Sequence, residues 1–341
     1  MKLAIYGAGS LGTVLGAYIT KSGKNIDLIN HNQEHVKGLR LKGAQIVGTV
    51  KMRVPVNALL PDEMISRYDI IFLLTKQLEN KKVVSGLKQF LQNDGVICTL
   101  QNGLPEISVA EVIGEKRTFG CSVAWGATLK GAGVCELTSE PDSLSFSLGT
   151  LCAAPDIKKL RQIKEILECM GTVEIEKNFI GARWSKLLVN SSFSGMSAVL
   201  GATFGEVAKK KASRFCVQKI GKECIDTAIA ANINIEPIQG KDIGKLLDYK
   251  SSFKRKLSFM IIPLMIRKHR SLKASMLQDL EKGKKTEVDA INGVVCEYGK
   301  KYNVPTPYND LVRHLVHEIE NHKLTPVMGN IQFFEALRKN Q

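Results

Sequence analysis

The sequence predicts a two-domain chain in which an α/β domain with a parallel sheet precedes an all-helical domain. The chain opens with a strand, a G-x-G-x-x-G motif and a helix, and a continuous apolar run, Y-D-I-I-F-L-L-T, begins at residue 68. Such runs are typical of central parallel strands, which are buried on both faces. After residue 178 almost only helical periodicity remains. We therefore assign residues 1–179 to the first domain and residues 180–341 to the second.

The first thirty residues have the order of a dinucleotide-binding unit. Predicted strands at 2–6 and 25–30 flank a glycine-rich loop and a helix at about 13–21. In this motif the first glycine makes a tight turn, the second lets the backbone approach a pyrophosphate, and the third lets the helix pack closely on the strand. The helix N-terminus offers free N–H groups to the phosphates. The sequence thus predicts a Rossmann-type cofactor site at Gly7, Ala8, Gly9, Ser10, Leu11 and Gly12.

The remaining strands are predicted to bring polar residues to one edge of the sheet. The apolar run that starts at residue 68 ends at Lys76, and the next predicted strand, 96–100, leads into Gln101-Asn102-Gly103. Because α/β sheets bind ligands outside the carboxyl ends of their strands, we expect Lys76 and Asn102 at the binding edge. Further strands are predicted at 45–56, 118–129, 134–138, 144–148 and 171–175, and helices at 79–91 and 157–170.

The end of the second strand indicates which dinucleotide is bound. NAD sites usually carry an Asp or Glu there, which holds the ribose hydroxyls. This chain instead has Asn30-His31-Asn32, followed by Lys37 and Arg40. The missing carboxylate removes a repulsive charge from the position that a 2′-phosphate would take. The sequence therefore favours NADPH as the cofactor.

One segment of the predicted helical domain combines three polar residues with an apolar background. Lys186, Asn190 and Ser194 are spaced four apart, so a regular helix places them on one face. The spacing leaves two interpretations open. Either the lysine extends from a half-buried face to water, or the three residues form a polar functional site.

A second segment pairs a carboxylate with a predicted helix start. Ser275 opens the run S-M-L-Q-D, and K-T-E-V-D follows at 285–289. Thr286 and Asp289 fit a capping box, which predicts that a helix begins there. Local sequence alone favours a structural role for Glu287, because a carboxylate in the first turn suits the helix dipole.

The net charge of +15 is concentrated in one part of the chain. The stretch 241–285 carries 13 Lys or Arg residues against 4 Asp or Glu residues. A solvated cationic face explains this excess, and so does attraction for an anionic substrate and a phosphorylated cofactor. The stretch lacks the interleaved aromatic residues of a strand-binding surface, so we expect no nucleic acid partner.

The remaining composition indicates a cytoplasmic protein. None of the eight cysteines forms a C-x-x-C pair, which favours reduced, buried thiols. No apolar run approaches the roughly eighteen residues that span a membrane, and we expect no signal peptide before the first strand. We therefore expect no membrane partner. His314 and His317 before Glu318 match no metal motif and are expected on a solvated helix face, so no metal site is predicted.

Taken together, these motifs resemble the ketopantoate reductase (2-dehydropantoate 2-reductase) family over nearly the whole chain. They read GAGSLG, LLTK, QNG, WSKLLVN, SMLQDLEKGKKTEVDAING and YNVPTPYND in chain order. The resemblance implies a Rossmann domain followed by an all-helical domain, both contributing to the active site. It also implies NADPH-dependent reduction of the ketone of ketopantoate, a step towards pantothenate and coenzyme A.

The resemblance implies roles for individual residues as well. Lys186 matches the family's catalytic lysine, and Glu287 matches a glutamate at the cofactor and substrate. The implied substrate contacts are Asn102, Asn190, Ser275 and, in place of a second Asn, Ser194. Besides the glycine loop, the implied cofactor contacts are His31, Lys76, Asn102, Ala127 and Glu287.

Three residues depart from the family's pattern. Ser194 and Phe204 stand where the family often has Asn, and His31 stands where an Arg often meets the NADP phosphate. The alternatives are therefore a different 2-oxo acid as substrate, and NADH as cofactor. A non-catalytic redox sensor is a third interpretation, but a binding module does not need the retained Lys186 and Glu287. The expected partner is a small-molecule 2-oxo acid, and a homodimer is left open.

Overall fold

The computed structural model describes residues 1–237 and 242–339. Lys241, the first residue of the cationic stretch, and the C-terminal Asn340 and Gln341 lie outside the described residues. The chain divides into two compact units, Met1–Phe179 and Ile180–Gln341.

The first unit alternates strands and helices. Its strands are β1 (Leu3–Tyr6), β2 (Ile26–Ile29), β3 (Ala44–Gly48), β4 (Met52–Val54), β5 (Asn57–Leu59), β6 (Tyr68–Leu73), β7 (Leu91–Thr99), β8 (Thr118–Val123), β9 (Ala127–Gly131), β10 (Val134–Leu137), β11 (Ser145–Gly149) and β12 (Thr172–Ile175). Its helices are α1 (Ser10–Lys21), α2 (Gln33–Lys42), α3 (Asn80–Leu87), α4 (Pro105–Ile113) and α5 (Ile157–Leu167).

Eight of these strands form one sheet, and the order in which the chain adds strands to it reverses at β1. The order is β12-β11-β8-β7-β6-β1-β2-β5, and the run from β8 to β5 is parallel throughout. The chain starts at β1, moves outwards through β2, and later returns to the other side of β1 with β6. In open parallel sheets the ligand crevice lies at this switch point, outside the carboxyl ends of the strands. The predicted Rossmann-type α/β fold of the first unit is confirmed.

The central strand β6 is buried on both faces, as its unbroken apolar sequence predicts. Ile70 and Phe72 pack into the cluster that includes residues of α1, α2 and α5. Ile71 and Leu73 pack into the cluster on the opposite face, which includes residues of α3 and α4. All four side chains are inaccessible to solvent. Successive side chains of a strand point to opposite faces, so a two-sided core requires an apolar residue at every position.

A second, four-stranded sheet accounts for the largest difference from the predicted elements. Its order is β4-β3-β10-β9, and it packs against α1. The strand predicted at 118–129 is in fact β8 and β9, which belong to different sheets. The chain changes sheets at Gly126, whose N–H donates to Ser139 Oγ at 3.0 Å. Two helices were not predicted: α2, which is mostly polar, and α4, which begins directly at Pro105.

The second unit is helical in the part of the chain that the structure describes. Its α-helices are α6 (Phe179–Val189, which begins one residue before the unit), α7 (Gly195–Leu200), α8 (Phe204–Lys209), α9 (Lys211–Ala230), α10 (Ile243–Leu247), α11 (Ser252–Met265), α12 (Ser275–Glu281), α13 (Val294–Lys301), α14 (Pro307–Glu320) and α15 (Ile331–Lys339). Two π-helical turns, Asn190–Ser194 and Asp289–Gly293, interrupt the α-helical geometry.

A buried carboxylate on α9 holds the start of α14. Glu223 accepts hydrogen bonds from the backbone N–H groups of Tyr308 and Asn309, each at 2.9 Å, and from Asn309 Nδ2 at 2.7 Å. The N-cap residue of α14, Thr306, makes no side-chain cap bond of its own. Burial raises the pKa of Glu223 to about 7. The first turn of α14 is therefore capped by a side chain 85 residues away in sequence.

Candidate active site

The glycine loop after β1 has three glycines with three different steric requirements. Gly7 has φ +98°, and a Cβ there would lie 2.5 Å from the backbone nitrogen of Thr75. A Cβ on Gly12 would lie 2.7 Å from the carbonyl oxygen of Gly7. A Cβ on Gly9 would meet only that same oxygen, at 4.0 Å. Positions 7 and 12 therefore need glycine for the fold itself, whereas Gly9 faces open space that a ligand can enter.

The start of α1 fits a dinucleotide pyrophosphate. Its N-cap is Gly9, which offers no side chain to the first-turn N–H groups, and the first turn contains no carboxylate. A helix of 12 residues with such an N-terminus favours a negatively charged ligand, since the N–H groups and the helix dipole both point towards it. The predicted loop residues Ala8, Ser10 and Leu11 lie on this turn, Ala8 buried and the other two half-buried.

A buried histidine that the sequence did not single out supports the loop. His35 Nδ1 accepts from the N–H of Gly133 at 3.1 Å, so Nε2 carries the proton and donates to Thr13 Oγ1 at 3.0 Å. Thr13 in turn donates to the carbonyl oxygen of Ala8 at 3.1 Å. Burial lowers the pKa of His35, which keeps the ring neutral. This chain of bonds holds the glycine loop against the β9–β10 turn.

The loops after β6 and β7 meet at the same edge of the sheet. The buried Gln101 donates from Nε2 to the carbonyl oxygen of Thr75 at 2.9 Å and to Asn80 Oδ1, also at 2.9 Å. Lys76 and Asn102 sit half-buried on these two braced loops. Since Gly7 also approaches Thr75, the structure brings Lys76 and Asn102 to the switch-point edge of the first unit, where the sequence predicted them.

The end of β2 contains no carboxylate, and its two asparagines have structural roles. Asn32 caps α2 by accepting from the N–H of His35 at 3.0 Å, and Asn30 accepts from the N–H of Asn32 at 2.8 Å. His31 is exposed between them. Arg40 is bound to Glu63 and to the carbonyl oxygen of Ala58, near the far end of α2. Arg40 is thus occupied elsewhere, and His31 and Asn32 are exposed at the strand end.

Ala127, the remaining predicted cofactor contact of the first unit, begins β9. It pairs with Leu137 of β10 in the smaller sheet and is half-buried. The preceding Trp125 is buried and packs edge-on against Phe146 with ring centroids 5.9 Å apart. Ala127 therefore lies on the sheet that packs against α1, not on a continuation of β8.

The first site segment of the second unit contains a π-helical turn. Lys186 lies half-buried in the last turn of α6, and Asn190–Ser194 then forms the π-turn. The regular spacing predicted for Lys186, Asn190 and Ser194 does not continue to Ser194, because a π-turn holds one more residue than an α-turn. Ser194 is buried, with 6% of its surface exposed. Such insertions occur frequently at functional sites.

The second site segment contains the other π-turn. Glu287 is buried, with 9% of its surface exposed, and lies two residues before the turn Asp289–Gly293. Asn292 Nδ2 of this turn donates to the carbonyl oxygen of Ser191, in the first π-turn, at 3.0 Å. The fold of the second unit thus joins the segments that carry Lys186 and Glu287.

The predicted helix start is confirmed, since helical residues begin at Val288, but the predicted pairing of Asp289 with Thr286 in a capping box is wrong. Thr286 Oγ1 accepts from the N–H of Val288 at 3.2 Å, and the N–H of Thr286 donates to Glu320 of α14 at 2.6 Å. Asp289 instead accepts from Arg313 Nε at 2.6 Å. The carboxylate that accepts from the N–H of Thr286 is therefore that of Glu320 on another helix, a contact that local sequence cannot reveal.

The two remaining substrate-side residues flank this region. Ser275 is the exposed first residue of α12, whose Met276 and Leu277 are buried. Phe204 is buried, and its ring centroid lies 5.5 Å from that of Phe193, which belongs to the first π-turn. Ser194 thus has an aromatic pair beside its segment.

A charged cluster holds the helical segment next to Glu287. His317 Nδ1 lies 3.0 Å from Glu320 Oε2, and Nε2 lies 3.1 Å from Asp289 Oδ1. Burial alone would lower the pKa of His317, but the hydrogen bonds to Glu320 and Asp289 outweigh it and raise the pKa above its ordinary value. The prediction of a solvated face is therefore wrong for His317, whereas His314 is exposed.

We expect thermal stability to fall as the pH rises from about 6 to 8 because His317 loses its proton. A raised folded-state pKa means that the stabilisation is complete below the unfolded value of about 6.5 and is lost through the folded value. Because the His317 side chain is partly open to solvent, screening keeps the loss small, at most about 2–4 °C in Tm. His317→Gln should reduce this pH dependence and leave the part that comes from Glu223, whose raised pKa of about 7 also makes stability fall as the pH rises through this range, and His314→Gln should leave the profile unchanged. Identical profiles for wild type and His317→Gln would contradict the assignment.

Other site types find little support in the described residues. Within residues 1–237 and 242–339, no group of three or more His, Cys, Asp or Glu side chains could hold a metal ion. No helix there combines the length and the apolar character needed to cross a bilayer. Burial raises the pKa of both Cys216 and Cys224 to about 12, so neither is a thiolate at neutral pH.

Both units match models of one protein family. The model described as "Ketopantoate reductase PanE/ApbA" matches residues 3–149, and "Ketopantoate reductase PanE/ApbA C terminal" matches residues 178–320. The chain belongs to the ketopantoate reductase family. It is accordingly an oxidoreductase, and the resemblance inferred from its motifs is confirmed.

Proteins similar to this chain differ in their named substrates. The 2-dehydropantoate 2-reductase of Lactococcus lactis subsp. lactis (strain IL1403) is 27% identical over 326 residues, covering 94% of this chain and 98% of its own. A solved D-mandelate dehydrogenase with NADH and anilino(oxo)acetate is 24% identical, with a TM-score of 0.81 over 94% of this chain and 99% of its own. A complex of D-mandelate dehydrogenase with NADH is 25% identical, with a TM-score of 0.78 and the same coverage.

Proposed function

We propose that this oxidoreductase reduces 2-dehydropantoate (ketopantoate) to pantoate with NADPH, in pantothenate and coenzyme A biosynthesis. The observation that carries the proposal is the joining of the Lys186 and Glu287 segments through paired π-turns, in a chain whose two units both match the family. The 2-dehydropantoate 2-reductase of Lactococcus lactis, which aligns over 94% of this chain, supports the substrate.

The first unit supplies the groups that would hold the cofactor. The glycine loop and the start of α1 would take the pyrophosphate, with Gly9 giving the close approach. His31 is an exposed side chain at the proposed position of a 2′-phosphate; the strand end Asn30–Asn32 carries no carboxylate, and Glu34 follows in the first turn of α2. Lys76, Asn102 and Ala127 complete the proposed cofactor contacts. NADPH supplies the hydride when bound.

The second unit supplies the acid and the substrate contacts. Lys186 would donate a hydrogen bond to the carbonyl oxygen of the 2-oxo acid, stabilise the developing alkoxide and give it a proton. Glu287 would hold the substrate hydroxyl and orient the lysine. Asn190, Ser194 and Ser275, with Asn102 from the first unit, are neutral donors that suit the substrate carboxylate.

The test is a single panel that follows NADPH and NADH absorbance with ketopantoate and a set of other 2-oxo acids. We expect kcat/KM for ketopantoate to be the highest of the panel, and at least about tenfold higher with NADPH than with NADH. The physical reason for the cofactor preference is the absence of a carboxylate at Asn30–Asn32. An equal or higher kcat/KM with NADH would overturn the cofactor assignment. A higher kcat/KM for another 2-oxo acid than for ketopantoate would overturn the substrate assignment.

A second candidate is a reductase of the same family that acts on another 2-oxo acid. Ser194 is shorter than Asn, and Phe204 packs against Phe193 without offering a hydrogen bond. Both changes favour a more apolar substrate. The similar D-mandelate dehydrogenase was solved with NADH and anilino(oxo)acetate, which carries an aromatic anilino group. Phenylglyoxylate therefore belongs in the panel beside ketopantoate.

Restoring an amide at position 194 is expected to lower the KM for ketopantoate. A missing polar partner typically costs about 1–3 kcal/mol, so Ser194→Asn should lower the KM by about fivefold or more. Ser194→Ala is the matched control, because it removes the hydroxyl and should raise the KM. An unchanged KM in both variants would show that residue 194 does not contact the substrate.

The proposal includes a cytoplasmic enzyme with a small-molecule 2-oxo acid as its partner. All eight cysteines are free thiols and six of them are buried, which supports a reducing compartment. A homodimer, and the lack of nucleic acid and membrane partners, stay predictions that sedimentation and binding measurements can check.

A further inference from the structure

The second unit contains a groove outside the segments that carry the reductase residues. It has a volume of about 460 Å³ and lies between α9, α11 and α15. None of the residues proposed for the reductase site lines it. Ligand cavities in proteins typically measure about 300–1,000 Å³. The groove therefore has the size of a small-molecule site with no role in the proposed reaction.

The floor of the groove is held by a buried amide. Gln218, 1% exposed, donates from Nε2 to the carbonyl oxygen of Arg255 at 2.7 Å and to Ser258 Oγ at 2.5 Å. These bonds fix α11 against α9. A site whose walls are already held in place loses less entropy when a ligand binds.

The walls are apolar and partly open to solvent. They consist of the rings of Phe215 and Phe259 and the side chain of Met260, which is 69% exposed. The two rings are half-buried and Met260 is exposed, which is unfavourable in water, so an apolar group that covers Met260 and the open parts of the rings is stabilised.

Four cations surround these walls: Lys219, Arg255, Lys256 and Arg338. None of them forms an ion pair with a carboxylate in residues 1–237 and 242–339, whereas nearby Lys222 pairs with Asp226. Glu335 precedes Arg338 by one turn on α15 but does not line the groove. The lining is thus cationic without an internal counter-charge.

Two of these cations are positioned over the aromatic wall. The guanidinium carbon of Arg338 lies 4.7 Å from the ring centroid of Phe215, and Lys219 Nζ lies 5.7 Å from the same centroid. Contacts of this kind hold the charged groups at the rim, beside the apolar surface. A ligand that satisfies both features must carry a negative group next to an apolar body.

We propose that this groove binds an amphiphilic organic anion. Its apolar body covers Phe215, Phe259 and Met260, and its carboxylate or phosphate monoester group pairs with the four cations. Charge complementarity selects the anion, and the apolar walls select against small inorganic ions.

The test uses decanoate and decyl phosphate as probes in titration calorimetry of the full chain, below their micelle concentrations. At least one should bind with 1:1 stoichiometry, and the tighter of the two identifies the head group. Neutral 1-decanol should bind at least about tenfold more weakly, because it lacks the charge-assisted contacts. Acetate and inorganic phosphate, which lack an apolar body, should give no saturable heat.

Charge-reversal variants connect the binding to the groove. Arg255→Glu and Arg338→Glu should each weaken decanoate or decyl phosphate binding by at least about tenfold, and Met260→Ser should also weaken it. Lys300→Glu is the matched control, since it is an exposed lysine on α13 that does not line the groove. Unchanged affinity in both arginine variants, or equal binding of decanol and decanoate, would overturn the proposal.

Two further experiments on the full chain and its variants distinguish a subunit interface or a membrane surface from the small-anion site. The outer face of α11 also exposes Phe253, Leu257 and Leu264. A dimer in sedimentation velocity that Met260→Glu dissociates would show that the groove is a subunit interface. Flotation with phosphatidylserine vesicles, without binding of either free probe, would assign the surface to a membrane. Either result rejects the small-anion site, and neither depends on whether the chain reduces ketopantoate.

Discussion

Replacing Lys186 by alanine is expected to lower kcat for the 2-oxo acid by at least about 10²-fold, the lower range of general acid catalysis. The ammonium group acts mainly when negative charge develops on the carbonyl oxygen, so its loss affects turnover more than binding. NADPH affinity and Tm should barely change, because Lys186 is a half-buried side chain in the last turn of α6.

Turnover, NADPH affinity and melting temperature measured on the one variant separate the two interpretations of this lysine. Lys300→Ala, an exposed lysine on α13, is the matched control and should leave all three unchanged. A lysine that merely extends to water could be removed with little kinetic effect. Near-normal turnover in a folded, NADPH-binding Lys186→Ala protein would therefore reject its catalytic role and the proposed reaction mechanism with it.

Two alanine substitutions in the glycine loop are expected to affect different properties, cofactor binding at Gly9 and folding stability at Gly12. Gly9→Ala should fold normally, because its Cβ meets only one atom, at 4.0 Å, but should weaken NADPH binding by at least about tenfold. The reason is that the methyl group occupies the space through which the pyrophosphate approaches. Gly12→Ala should lose about 1–3 kcal/mol of stability, because its Cβ would lie 2.7 Å from a backbone oxygen.

Denaturant unfolding and calorimetric titration of NADPH on both variants check this pair. Each variant serves as the control for the other, since both add one methyl group to the same loop. Wild-type NADPH affinity in Gly9→Ala would contradict the placement of the pyrophosphate at this loop. An unchanged unfolding midpoint in Gly12→Ala would contradict the close packing of α1 on β1.

Much of the first unit could be predicted because its signals are local. The glycine spacing at 7–12 and the apolar run of β6 each lie within one short stretch, and both were located correctly. The strand predicted at 118–129 failed because the change of sheet at Gly126 depends on contacts with residues 138 and 139. Helix α2 was missed because it buries only one side of a mostly polar segment.

In the second unit, sequence periodicity located the polar site residues but did not predict the helix geometry around them. Four-residue spacing correctly indicated that Lys186, Asn190 and Ser194 belong to one helical segment, but it assumed a regular α-helix. The π-turn at Asn190–Ser194 widens that segment. The predicted capping box at Thr286 failed for a related reason, because Glu320 from α14 takes the place that Asp289 was expected to fill.

The sequence by itself determined the family, the order of the two units and the residue types available for hydride-transfer chemistry. Only the tertiary structure decided which buried side chains hold the glycine loop and the two π-turns in place. His35 reaches the glycine loop through partners 22 and 98 residues away, and Asn292 joins the two π-turns across 101 residues. Periodic patterns report which face of a segment is apolar. They carry no information about which buried polar group another segment will satisfy, and that pairing is set by packing.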